Sequence, residues 1–152
     1  MADREKFTIA ARILILDGDK VLMGFEPMQE NGKGNHWETP GGGIEKMETV
    51  AEGLKREAKE EIGTDIVIED RMPFIFKCMP KELSPKIDSA VIVIYFICTP
   101  VGKPDLEKAT DKEFHELKYM GEKDFEELSE QRKIMFFDRK FIPLIMKSKK
   151  LW

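Results

Sequence analysis

The chain has 152 residues, 41% of them hydrophobic and 36% charged, with a formal net charge of −4. That length fits one domain, expected to span 1–152, whose core needs neither disulfides nor a structural metal. The acidic balance gives no field for duplex nucleic acid or a membrane surface, so neither is an expected partner.

Met1 to Lys6 is charged rather than apolar and does not read as a signal peptide. Phe7 to Leu16 (FTIAARILIL) reads as a buried strand, Asp17-Gly18-Asp19 as a turn, and Val21 to Phe25 as the hairpin partner of that strand. Glu26 to Asn35 carries Pro, Gly and Asn without periodicity and reads as a loop. Thr49 and Glu52 form a capping box that starts a helix, and Gly63 stands where the helix should stop. Ile66 to Ile68 and Phe74 to Cys78 read as strands, and Ala90 to Cys98 (AVIVIYFIC) as a central strand buried on both faces. That run is far too short to cross a bilayer. Phe114 to Met120 is a further strand. Phe125 to Ser129 and Arg139 to Lys147 are helices, the second interrupted by Pro143. Strands with helices between and after them argue for an α/β fold, a mixed sheet flanked by helices. Cys78 and Cys98 lie in apolar runs without metal-ligand spacing and read as buried thiols, which suits a reducing, cytoplasmic setting.

The informative stretch is Pro40 to Thr64, PGGGIEKMETVAEGLKREAKEEIGT. Three glycines after a proline read as a loop rather than as a strand or helix, and bare backbone lets a ligand come close. On a helical wheel Ala51, Leu54, Ala58 and Ile62 share an apolar arc, and Glu57, Glu60 and Glu61 cluster beside it. Such a cluster repels itself and opposes the helix dipole. The residues alone leave two readings open: a solvated acidic face, or a site for a hard cation such as Mg²⁺.

The segment resembles the Nudix box. Gly42, Glu48, Arg56, Glu57, Glu60, Glu61 and Gly63 supply every fixed letter at the family's spacing, with Ala58 and Thr64 in its two aliphatic slots and Met47 in place of a frequent glycine. At residue frequencies near 7%, that match arises by chance on the order of 10⁻⁸ per starting point. His36-Trp37-Glu38-Thr39 leads into the box as it often does in this family.

The resemblance implies an α/β/α sandwich and a hydrolase that uses Mg²⁺ or Mn²⁺ to cleave a diphosphate linkage. It implies Glu57 and Glu61 as main metal ligands, Glu60 as a ligand of a second ion or an activator of water, and the Gly41 carbonyl as completing the coordination. Glu48 and Arg56 then form a pair that fixes the glycine segment, with Gly42 and Gly63 as structural positions. Glu113, shortly before Tyr119, matches a later acid that serves as ligand or base; the alternative is a solvated strand-edge glutamate. Trp37 and Phe25 are candidates for stacking on a base, whereas Phe76 suits the core. His36 either contacts substrate or is an ordinary loop histidine.

The substrate implied is a small nucleotide, first a nucleoside triphosphate. ADP-ribose or a nucleotide sugar is the alternative, for which Pro80 is a faint pointer. A Nudix-fold module that binds a nucleotide without cleaving it is a further reading, opposed by the intact glutamates, and a non-nucleotide diphosphate is another. The chain leaves room for a homodimer.

Overall fold

The computed structural model describes residues 6–69, 72–79 and 89–152; Pro80 and residues 1–5 lie outside them. The order is β1 (Phe7–Leu14), β2 (Leu16–Asp17), β3 (Lys20–Glu26), β4 (His36–Glu38), β5 (Gly41–Gly43), α1 (Val50–Ile62), β6 (Ile66–Ile68), β7 (Phe74–Cys78), β8 (Ala90–Pro100), β9 (Glu116–Met120), α2 (Glu122–Glu130) and α3 (Phe136–Ser148).

β8 is the central strand, as its apolar run requires. It pairs in parallel with β1 along one edge and antiparallel with β6 and β7 along the other. A second sheet is built on β3, which pairs antiparallel with β2, β4 and β9. Period-two alternation then divides the core. Ala11, Ile13 and Ile15 pack with Leu54, Ala58 and Ile62 of α1. Leu14, Val93 and Tyr95 face the other way, onto Phe125 of α2 and Phe141, Ile142 and Ile145 of α3. The mixed sheets flanked by helices match the expected α/β/α sandwich.

Several expectations about the elements need correction. The hairpin partner of β3 is β2, not β1. The chain passes from one sheet to the other at Ile15, whose carbonyl still accepts the Leu22 N–H at 2.9 Å. Gly41–Gly43 is a strand rather than a loop, because the free edge of β1 supplies partners in the register Arg12↔Gly41 to Ala10↔Gly43. His36–Glu38 is likewise a strand, closed against Gly24–Glu26. Pro143 does not interrupt α3. A proline removes one helical hydrogen bond, and the burial of Phe141, Ile142, Ile145 and Met146 around it offsets that loss.

α1 keeps the expected caps. Thr49 Oγ1 accepts from the Glu52 N–H at 3.1 Å, the Glu52 carboxylate accepts from the Thr49 N–H at 2.9 Å, and Gly63 closes the helix in a left-handed conformation. Ala51 is exposed; the buried arc is Gly53, Leu54, Ala58, Glu61 and Ile62.

Candidate functional site

A glutamate on a buried arc is the anomaly from which the site can be built. Glu61 is 1% exposed. One oxygen, Oε1, accepts the Gly41 N–H at 2.9 Å; the other, Oε2, is buried without a hydrogen-bond partner. Burial pushes its carboxyl well above the ordinary range, Arg12 draws it partly back, and the neighbouring Glu57 pushes it higher. An orphaned acceptor of this kind suits a cation.

Two further carboxylates converge on it. Glu38, Glu61 and Glu113 each place an oxygen within 4.8 Å of the others, and Glu26, His36 and Glu38 form a second such group that shares Glu38. The β3–β4 ladder explains the second group: Glu26 and His36 are direct partners, and Glu38 follows His36 by one strand period. His36 Nε2 lies 3.4 Å from Glu26 Oε2 and 3.3 Å from Glu38 Oε2. The hydrogen bond to Glu38 leads in raising the His36 pKa. Glu38 itself is lowered: burial would raise it, and Arg12 and His36 outweigh that. Glu113 is pushed up to about 7 by burial first, then by Glu38 and Glu26. Glu26, His36, Glu38 and Glu113 line a cleft of about 630 Å³, walled by Gln29, Asn31 and Lys33 of the β3–β4 loop.

The remaining box residues divide into two sets. Glu57 lies against Gly42, where an added Cβ would come within 2.8 Å of its Oε1. Arg56 reaches outward over the helix: Nη2 and Nε hold the Glu48 carboxylate at 2.7 and 3.0 Å, Nη1 holds Glu57 at 2.9 Å and Glu60 at 3.1 Å, and Nη2 reaches the Gly43 carbonyl at 3.2 Å. Glu48 and Arg56 are thus directly paired. Arg56 also occupies Glu57 and Glu60, neither of which joins a three-residue group. The Gly41 carbonyl accepts from Arg12 Nη1 at 3.1 Å.

Beneath the cleft lies a buried network with no counterpart in the sequence expectations. Arg12 donates from Nε to Thr39 Oγ1 at 3.1 Å and from Nη2 to the Thr39 carbonyl. Its Nη2 also stands 3.7 Å from Glu38 and 3.9 Å from Asp138. Asp138 accepts from the Thr39 N–H at 2.6 Å, the Thr39 hydroxyl at 3.0 Å and the Tyr95 hydroxyl at 2.8 Å. The one sequence signal was an arginine inside an apolar strand; nothing marked Asp138, Glu26 or Glu38 as belonging together.

Trp37 and Phe25 do not line the cleft. The same alternation that turns His36 and Glu38 toward it turns Trp37 into the core, 9% exposed, with its ring centroid 5.3 Å from that of Phe25. The expected stacking role is corrected on that ground. Phe76 stacks on Phe141 at 4.1 Å, a core contact as expected.

The NUDIX domain family model matches residues 6–145. The chain is 38% identical over 66 residues to the 8-oxo-dGTP diphosphatase of Proteus vulgaris, covering 43% of this chain and 58% of that one. It is 34% identical over 94 residues to the RNA pyrophosphohydrolase of a Nitratiruptor species, covering 58% and 60%. The chain thus spans less than two thirds of these relatives. Among solved structures, a NUDIX hydrolase from Nitrosomonas europaea superposes with a TM-score of 0.71 at 18% identity, over 96% of this chain and 88% of that one, which speaks for the fold alone. Among the described residues no helix is long and apolar enough to cross a membrane. With the box complete and the family model running almost end to end, the chain belongs to the Nudix family.

Proposed function

We propose that the protein is a metal-dependent hydrolase that cleaves a diphosphate linkage in a nucleoside triphosphate. The observation that carries this reading is the convergence of Glu38, Glu61 and Glu113 at the edge of an open cleft, with one buried Glu61 oxygen left without a partner. Carboxylates alone would repel a polyphosphate, so the arrangement makes chemical sense with a hard divalent cation between them. Glu38, Glu61 and Glu113 are the residues that would hold Mg²⁺ or Mn²⁺, with Glu57 beside Glu61 as a further ligand that the box resemblance implies. When bound, such an ion supplies charge stabilisation at the phosphoryl oxygens and acidifies water.

The chain's own groups have distinct tasks. Glu113, half-buried and facing Glu38 and Glu61, serves either as a ligand of that ion or as the acceptor of the attacking water's proton. The Arg56 bond to the Gly43 carbonyl and the Glu61–Gly41 bond hold β5 against α1, which keeps Glu57 and Glu61 in register. Gln29, Asn31 and Lys33 face the cleft from the β3–β4 loop and offer amides and a cation to the substrate.

The triphosphate preference draws on the relatives, since an 8-oxo-dGTP diphosphatase and an RNA pyrophosphohydrolase are among them. The test is a screen of nucleoside triphosphates, nucleotide sugars and dinucleotides with Mg²⁺, reading inorganic diphosphate and phosphate separately. Diphosphate release from a triphosphate is the expected result. Turnover of nucleotide sugars alone would move the assignment to the alternative, and no turnover of any substrate would leave a binding module.

A further inference from the structure

The Arg12 guanidinium and a divalent cation would compete for the same carboxylates. Arg12 is buried at 5% exposure, and its Nη2 stands 3.7 Å from Glu38 Oε2, one of the three oxygen-bearing groups of the candidate centre. A fixed positive charge in that place should repel an incoming ion. What faces it from the other side is Asp138, 0% exposed, with Oδ2 at 3.9 Å from the same nitrogen.

We propose that Asp138 is a positioning residue that holds the Arg12 guanidinium and balances its charge, so that Glu38 and Glu61 stay available to a divalent cation. The inference rests on the metal-centre reading given above. Three features of the geometry support it. Every partner of Asp138 other than Arg12 donates to it: the Thr39 N–H, the Thr39 hydroxyl and the Tyr95 hydroxyl. Burial raises the Asp138 pKa, and Arg12 and the Thr39 N–H draw it partly back; the surrounding donors all address the carboxyl as an acceptor. The direction of the donors is also consistent throughout, because Thr39 Oγ1 accepts from Arg12 Nε and passes its own proton toward Asp138. Finally, three separate elements carry the network. Arg12 comes from β1, Tyr95 from β8 and Asp138 from α3; Arg12 and Asp138 close on Thr39, next to the Gly41 whose N–H holds Glu61, and Tyr95 braces Asp138. Asp138 itself belongs to neither group that could hold the ion.

The experiment is Mn²⁺ binding to the metal-free chain at neutral pH, with free Mn²⁺ read by electron paramagnetic resonance. The set is wild type, Asp138→Asn, Arg12→Gln and the double variant. Asp138→Asn should weaken Mn²⁺ binding by roughly ten-fold, the lower end for loss of an outer-shell partner. Arg12→Gln should tighten it, and the double variant should return toward wild type. The opposite signs separate charge balance from scaffolding, since a purely structural network would lose affinity in both single variants. Asp138→Asn binding as wild type does, or Arg12→Gln binding more weakly, would overturn the proposal. If Asp138→Asn does not fold, the sign of the Arg12→Gln change decides alone. A wild type that takes up no Mn²⁺ would remove the metal centre and the proposal with it.

Discussion

Gly42 has no side chain because Glu57 occupies the space one would need: a Cβ there would stand 2.8 Å from Oε1 and 3.2 Å from the carboxyl carbon. The carboxylate can swing away, so the fold should survive a substitution that the chemistry does not. Gly42→Val is expected to keep the wild-type circular dichroism spectrum and lose about 10²-fold in kcat, the scale of an ångström-sized misplacement of a reacting group. Normal turnover would show that Glu57 has no fixed post. Gly41 differs. Its φ is +131°, and an added Cβ would collide with the backbone carbonyl of Ala11, so substitution there should cost stability as well. Glu113 makes a second residue-scale prediction. Its pKa in the fold is about 7, against an ordinary 4.5. The folded state therefore keeps a proton that the unfolded chain gives up. The resulting stability is fully present below 4.5 and is lost as pH rises through about 7. Thermal melts of the metal-free protein should fall across that window, and Glu113→Gln should flatten the fall.

At the scale of elements, α1 was legible almost residue by residue because its signals are local. Thr49, Glu52 and Gly63 sit within the helix or against its ends, and the box spacing is sequence distance. Strands were legible as segments but not by partner. FTIAARILIL reads as one strand, yet its end leaves one sheet for the other, and no local pattern marks Ile15 as the crossing. The glycine strand failed for the same reason, since only the distant edge of β1 makes it a strand. The site follows suit. Its α1 glutamates came from spacing, whereas Glu26, Glu38 and Arg12 became visible only once β1, β3 and β4 were placed side by side. The Arg56 cluster on α1 gives the prediction for this scale. Arg56, followed by the Glu45 N–H, holds the Glu48 carboxyl down to about 2. A depressed acid contributes stability above its unfolded value, near 4.5, that is lost as pH falls through about 2. Acid titration of Glu48→Gln should lack that part of the transition, and Arg56→Lys, without the planar fork, should shift it upward. An acid profile identical to wild type in both variants would leave the pair without energetic weight.

For the whole molecule, the question is whether the buried acidic centre is a liability of the metal-free fold that a bound ion relieves. Glu61 is the sharpest case: buried, adjacent to Glu57, and with one oxygen unpartnered. Its raised pKa means that ionising it at neutral pH works against folding. In Glu61→Gln the remaining carbonyl oxygen can still accept the Gly41 N–H, while the new amide can donate toward Glu57 instead of repelling it. The metal-free variant should therefore be more stable than wild type by about 0.5–1 kcal/mol, the net worth of a modest hydrogen bond. Mg²⁺ should reverse the order. At a concentration near 100 times Kd, binding to the native state alone adds about 2.7 kcal/mol to wild type, which for a chain of this size raises Tm by roughly 5–11 °C. The variant, lacking that ligand, should move much less and lose about 10²-fold or more in kcat. Four melts, two proteins with and without metal, decide the matter. A metal-free Glu61→Gln that melts below wild type would make Glu61 a structural partner of Gly41, and equal Mg²⁺ shifts in the two proteins would place the ion elsewhere.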